Sequence, residues 1–195
     1  MYGKTFALVA AAVATVLTTA ASASAADRYL IDPQHTFPSL EFSHLGISVW
    51  RGKFNKTSGE IVLDRAAKTG TVDVTVDTDS IDFGLESMHE RARTEKWFNV
   101  EKHPTATYKG TVKFAGDTPK SVDGQLTLLG VTRPVKLAIN NFKCIPHPLT
   151  KKELCGADAE GELLWSHFGM AKMKYAEGDT DKVVLRIQVE GIKQD

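Results

Sequence analysis

Hydrophobic and polar residues alternate along most of this chain. Val72, Val74 and Val76 are interleaved with Thr71, Asp73, Thr75 and Asp77, and Tyr108, Val112 and Phe114 with Thr107, Thr111 and Lys113. Val122, Leu126 and Leu128 share one parity, as do Val135, Leu137 and Ile139, and then Val183, Leu185, Ile187 and Val189. Leu40 with Phe42, Ile61 with Leu63, and Leu163 with Trp165 extend the pattern to both sides. A period of two places every second side chain on one face of a strand, so these stretches predict strands with one apolar and one wet face. Segments rich in Gly, Pro, Asp, Asn, Ser, Thr and Lys predict turns at Lys53–Gly59, Asp64–Gly70, Ala115–Lys120 and Gly178–Asp181. The short links predict antiparallel hairpins, and about eight strands predict a closed or nearly closed all-β barrel, because closure removes exposed edges.

One stretch breaks the period. Between Asp82 and Trp97, Leu85, Met88 and Ala92 recur at three- and four-residue spacing among helix formers, which predicts a short helix over residues 84–97. The first 25 residues stand apart from the fold. Lys4, the apolar run Phe6–Leu17 and the small-residue sequence Ala23-Ser24-Ala25 have the layout of a cleavable secretory signal, leaving one exported domain over residues 26–195. The apolar run is too short to span a membrane comfortably.

The chain carries 24 basic and 24 acidic residues, and removal of Lys4 leaves 23 against 24. That balance argues against a nucleic-acid partner, and 42% hydrophobic residues argue against disorder. Export changes the reading of Cys144 and Cys155: in an oxidising compartment an even pair is expected to form a disulfide. The alternatives are two free thiols or, with His147 between them, a metal site that lacks a fourth ligand at suitable spacing.

The wet face of the strands carries Thr, Lys, Asp, Gln and Glu, the opposite of an outer-membrane barrel, so the apolar face is expected to point inward and no membrane insertion is expected. The predicted lining is Leu40, Phe42, Ile61, Leu63, Val72, Val74, Tyr108, Val112, Phe114, Leu126, Leu137, Leu185 and Ile187. Pattern alone leaves open whether this interior is filled by side chains or holds one apolar ligand. A ligand's head group would rest at the mouth, with His44, Arg51, Arg91 and Arg93 as candidate contacts, Arg being suited to bidentate bonds with phosphate. Catalysis is weakly signalled. His35, His44, His89, His103, His147 and His167 are scattered, and no HExxH or GxSxG motif occurs. Ser43-His44 and Ser166-His167 are sequence neighbours, which in strands point to opposite faces. A metal-dependent hydrolase assembled from distant residues and a filled structural barrel remain the competing classes; no metal or cofactor is expected, and pairing of two chains into a homodimer stays open.

The segment Gly124-Gln125-Leu126-Thr127-Leu128-Leu129-Gly130-Val131-Thr132-Arg133-Pro134-Val135-Lys136-Leu137 resembles the G-x-L-T-[IL]-x-G-V-T-[KR]-P-V-x-L segment of the YceI-like family. Tyr29-Leu30-Ile31-Asp32 with His35, His44-Leu45-Gly46, Gly52-Lys53-Phe54, Ser80-Ile81-Asp82, Lys102-His103-Pro104 and Phe168-Gly169 add ordered matches along the exported part. The resemblance implies a lipocalin-like eight-stranded antiparallel barrel in the periplasm. It implies an interior channel that binds, stores or transports an isoprenoid chain such as a polyprenyl phosphate or ubiquinone, and favours a hollow interior. The cysteine pair resembles a quinone-binding branch. The family's R-D-x-H-L-R-S-x-D-F-F stretch reads Met88-His89-Glu90-Arg91-Ala92-Arg93-Thr94-Glu95-Lys96-Trp97-Phe98 here: Arg93, Trp97 and Phe98 match, while Met88, His89, Arg91, Ala92 and Lys96 differ. Trp165 stands where Arg or Lys is common. Met88, Trp97, Phe98 and Trp165 are accordingly placed with the lid and head-group contacts.

Overall fold

In a computed structural model describing residues 26–170 and 181–195, eleven strand segments join into one antiparallel sheet. They are β1 (Asp27–Ile31), β2 (Phe37–His44), β3 (Ser48–Phe54), β4 (Thr57–Asp64), β5 (Thr69–Asp77), β6 (Ile81–Asp82), β7 (Thr105–Ala115), β8 (Thr118–Leu128), β9 (Val131–Pro146), β10 (Glu153–Leu164) and β11 (Lys182–Lys193). The predicted signal segment 1–25 and most of the predicted Gly178–Asp181 turn lie outside the described residues.

The eleven segments make eight staves. β11 pairs with β2 through Val183–Gln188 and with β1 through Gly191–Lys193, so β1 and β2 form one interrupted stave. β3 pairs with β2 and β4 with β1, making a second; β5 and β6 make a third, against β4 and β3. The remaining strands follow in chain order, and β1–β11 pairing closes the ring. The barrel is therefore the eight-stranded antiparallel one expected. The stretch Lys53–Gly59, however, is no hairpin turn. Asn55 and Lys56 interrupt a continuing stave, held by Asn55 N–H donating to Ser80 O (3.0 Å) and Asp77 N–H donating to Lys56 O (3.0 Å). With the breaks at Asp32–Thr36 and Thr78–Ser80, this gives a crease across three adjacent staves.

The helix is shorter than predicted. α1 runs Glu86–Arg93, entered through Gly84 at φ +72° and ended at Thr94. It turns Met88 and Ala92 inward, while Trp97 and Phe98 follow in turns. Ser166 and His167 are likewise not in a strand but in a 3₁₀ turn, Trp165–Phe168. Phe42, Trp50, Phe83, Trp97, Trp165, Phe98 and Phe54 form a chain of ring contacts at the α1 end of the barrel, with centroids 5.4–6.5 Å apart and mostly edge-to-face. Each such pair adds about 0.5–1.5 kcal/mol beyond area burial. Gly52 makes room for this cap, since a Cβ there would lie 2.5 Å from the Phe83 ring.

The opposite end is tied by polar and covalent links. Cys144 and Cys155 face each other across β9 and β10 and are disulfide-bonded. Reduction, or the paired change Cys144→Ser/Cys155→Ser, is expected to lower stability by about 2–3 kcal/mol in chemical denaturation, chiefly by freeing the unfolded chain.

Candidate functional site

Alternation on eight staves delivers a row of apolar side chains to the lumen, and the staves do not meet in the middle. A cavity of about 1300 Å³, counting the space at its opening, runs inside the barrel, and its accessible wall is wholly apolar. It extends from Phe98, Trp165 and Leu128 at the α1 end to Ile31, Phe142 and Val189 toward the disulfide end. Of the predicted lining, Leu40, Ile61, Leu63, Val72, Val74, Tyr108, Val112, Leu126, Leu137, Leu185 and Ile187 stand on this wall. Two do not. Phe42 is buried in the aromatic cap, its ring taken up by Phe83, Trp97 and Trp165. Phe114 keeps the inward parity, opposite Pro119, but packs against the core at the outer end of β7.

Three lining residues carry a hydroxyl, Thr36, Thr57 and Tyr108, and none of these hydroxyls adds polar surface to the cavity. The Tyr108 ring lies over Gly124, where a Cβ would fall 2.3 Å from its Cζ, and its Oη donates to Val135 O at 2.8 Å. Burial pushes this phenol above its ordinary pKa, so it stays a neutral donor. Gly124 was legible only as a strand glycine, which signals close approach of another group.

The predicted head-group residues are not brought together. Phe98 and Trp165 line the cavity and Trp97 sits in the cap beside them. The Trp165 backbone N–H donates to the Asp181 backbone O (2.9 Å), while the Asp181 carboxylate accepts from Ser166 N–H and Oγ. Met88 is buried on the inner face of α1. The basic candidates lie elsewhere. Arg51 is on the outer face of β3 with Glu41 (2.9 Å), Arg93 is held by Asp79 (2.8 Å), Arg91 is exposed on α1, and His44 rests against Trp50. The reason is parity and pairing: Gly52 and Phe54 take the inward positions of β3, which turns Arg51 outward.

Beyond the far end of the cavity, Tyr29, Arg65, Glu153 and Asp27 form a polar knot. Arg65 donates to Asp27 (2.8 Å), Tyr29 Oη (2.9 Å) and Glu153 (3.0 Å), and lies 3.4 Å from Cys144 Sγ; the Tyr29 hydroxyl donates to Glu153. Burial alone would raise the Glu153 pKa, but the hydrogen bonds from Tyr29 and Arg65 outweigh it and hold the carboxyl below its ordinary 4.5. A depressed carboxylate stabilises the fold above its unfolded pKa, and that contribution is lost as pH falls through the folded value. Glu153→Gln is therefore expected to lower Tm at neutral pH and to change it little in acid, below the folded pKa, which flattens the acid side of a plot of Tm against pH.

Two groups of metal-type ligands occur among the described residues, Cys144/Glu153/Cys155 and Asp32/His35/Glu190. The first has its sulfurs tied in the disulfide, and neither lines the cavity.

Residues 29–191 match the YceI-like domain. This chain belongs to the YceI-like family. The UPF0312 protein of Pseudomonas aeruginosa is 35% identical over 191 residues, covering 96% of this chain and 97% of that protein. A UPF0312 protein of Ectopseudomonas mendocina is 38% identical over 184 residues, covering 88% and 90%. Among solved structures, BcnA of Burkholderia cenocepacia superposes with a TM-score of 0.66 at 20% identity, covering 82% of this chain and 98% of that one. A polyisoprenoid binding domain from Saccharophagus degradans superposes with a TM-score of 0.62 at 14% identity, covering 85% and 98%. These likenesses establish the YceI-like barrel. Among the described residues no helix is long and apolar enough to cross a membrane.

Proposed function

We propose that this YceI-like protein is a periplasmic binding protein that stores or carries an amphipathic isoprenoid lipid in its barrel. The observation that carries the reading is the cavity along the barrel axis, whose accessible wall is wholly apolar. Burial of each methylene is worth about 0.8 kcal/mol, so a ten-carbon tail gains about 8 kcal/mol before ordering costs. A wall whose titratable groups come down to a neutral tyrosine suits binding better than proton transfer or hydrolysis. The name of the Saccharophagus degradans relative's domain, polyisoprenoid binding, points the same way. The periplasmic assignment rests on the signal-like N-terminus and on the expected oxidising environment of the cysteine pair.

The test is native mass spectrometry of protein purified from its own host, followed by solvent extraction. A single isoprenoid species at up to one per chain is the expected result. Protein that emerges empty, and takes up neither a prenylated quinone nor a polyprenyl phosphate, overturns the reading in favour of a purely structural barrel.

A further inference from the structure

The break between β1 and β2 brings together an imidazole and two carboxylates. Asp32 and His35 come from the break itself and Glu190 from β11, and one candidate ligand atom from each lies within 4.8 Å of the other two. Val189 lines the cavity, so Glu190 points to the outside of the barrel. The backbone beneath the three is firmly held. Asp32 N–H donates to Glu190 O (2.9 Å) and His35 N–H to Asp32 O (3.2 Å). The buried Thr36 hydroxyl donates to Glu190 O (3.2 Å) and accepts from Glu190 N–H (3.1 Å), and Gln188 Nε2 donates to His35 O (3.2 Å). Asp32 Oδ1 accepts from Gln34 N–H (2.9 Å), which leaves Oδ2 facing His35 Nδ1 at 2.8 Å. The Glu190 carboxylate accepts no hydrogen bond and forms no close ion pair among the described residues, although it stands beside this couple.

The spacing suits a small cation. With metal–ligand bonds of about 2.0–2.1 Å, neighbouring ligand atoms of a tetrahedral zinc lie about 3.3 Å apart. The Asp32–His35 couple therefore needs only a slight widening, as the ion takes the place of the shared proton, and Glu190 closes in by turning its side chain. One imidazole nitrogen with two carboxylate oxygens is a zinc-type donor set, with the fourth position left to water. Calcium and magnesium favour shells built of oxygen alone. The place of the site gives such an ion a task. Ile31 and Thr36, on either side of the break, and Val189, next to Glu190, all line the cavity. A metal bridge from Asp32 and His35 to Glu190 joins the interrupted stave to β11 behind that part of the wall.

We propose that Asp32, His35 and Glu190 bind one divalent transition-metal ion, zinc by their donor chemistry, and that this ion clips the broken β1–β2 stave to β11. The site lies outside the cavity, and the proposal stands independently of what the barrel holds.

The test uses untagged, chelator-stripped protein titrated with zinc chloride in a calorimeter. One ion per chain is the expected result, with a rise in Tm, because the ion binds the folded chain and not the unfolded one. Glu190→Gln and His35→Gln keep the backbone hydrogen bonds and are each expected to weaken binding by about tenfold or more in Kd. His167→Gln, in the 3₁₀ turn at the α1 end, is the control for chance binding to an exposed imidazole and should titrate as wild type. Cobalt in place of zinc is expected to give visible absorption bands that His35→Gln loses. Hydrogen exchange of the Asp32, His35 and Glu190 amides is expected to slow when zinc is added. No binding at submillimolar zinc, or binding that survives both Glu190→Gln and His35→Gln, overturns the site. Binding that depends on both residues but leaves exchange at the break unchanged overturns the clip.

Discussion

Val74→Asp is expected to leave the barrel unable to retain lipid and to destabilise it by about 3 kcal/mol at neutral pH. Val74 stands midway along β5, facing Gly59 on β4 and Tyr108 on β7, on a wall with no cation among the described residues. A carboxylate there gives up its hydration and gains no partner, so its pKa rises on folding. The penalty is consequently largest above the unfolded carboxylate pKa and shrinks as acid protonates the group. Val74→Thr, with nearly the same shape and no charge, serves as the control and should keep the fold. Denaturant melts at pH 4 and pH 7 measure the first effect, and native mass spectrometry measures lipid retention. A Val74→Asp protein as stable as wild type and still loaded would mean that Val74 faces water and that the lumen is elsewhere.

Gly59→Ala is expected to cost more still, above about 4 kcal/mol, and to yield little folded protein. Gly59 holds φ +135°, a conformation L side chains rarely adopt, and a Cβ on it would sit 2.2 Å from Asp73 O and 2.8 Å from Val74 Cα in the neighbouring strand. Both obstacles are backbone, so no rotamer change relieves them. The damage falls on the β4–β5 seam that carries Ile61, Val72 and Val74 to the wall. Gly116→Ala, at φ +61° but with open space around it, is the comparison that separates strain from collision. Circular dichroism and soluble yield read the difference.

The barrel was legible wherever alternation runs unbroken, as in β5 and in Val183–Val189 of β11. There a single choice, apolar side inward, places every residue. The cavity wall was less legible where a register shift changes the parity. Between β9 and β10 the register slips at Asp158/Ala159, Asn140 is left over, and Phe142 rather than Asn141 faces inward beyond Ile139. The shift at Lys113/Phe114 brings Pro119 to the wall in the same way. Parity also cannot separate lumen from cap, so it predicts Phe42 in the lining although the ring packs with Trp97 and Trp165. The break at Asn55–Lys56 has the polar composition of a turn, yet the hydrogen bonds that make it a crease come from Ser80 and Asp77, far along the chain. The YceI-like segment Gly124–Leu137 identified the family but bears on the wall chiefly through Leu126, Leu128 and Leu137, and through Gly124 beneath Tyr108.

The links at the end remote from α1 have a mechanical consequence. There a covalent bridge locks β9 to β10, and one guanidinium gathers side chains from β1 and β10. The breaks in the three interrupted staves cross the wall obliquely, from Asp32–Thr36 beside Glu190 to Thr78–Ser80, and closure at the α1 end depends on rings that touch edge to face. Local unfolding thus has an uneven cost along the axis, and amide hydrogens in β2 and β3 should exchange well before those of β9 and β10. The molecule resembles a stoppered flask more than an open pipe, with its base fused and its neck free to loosen.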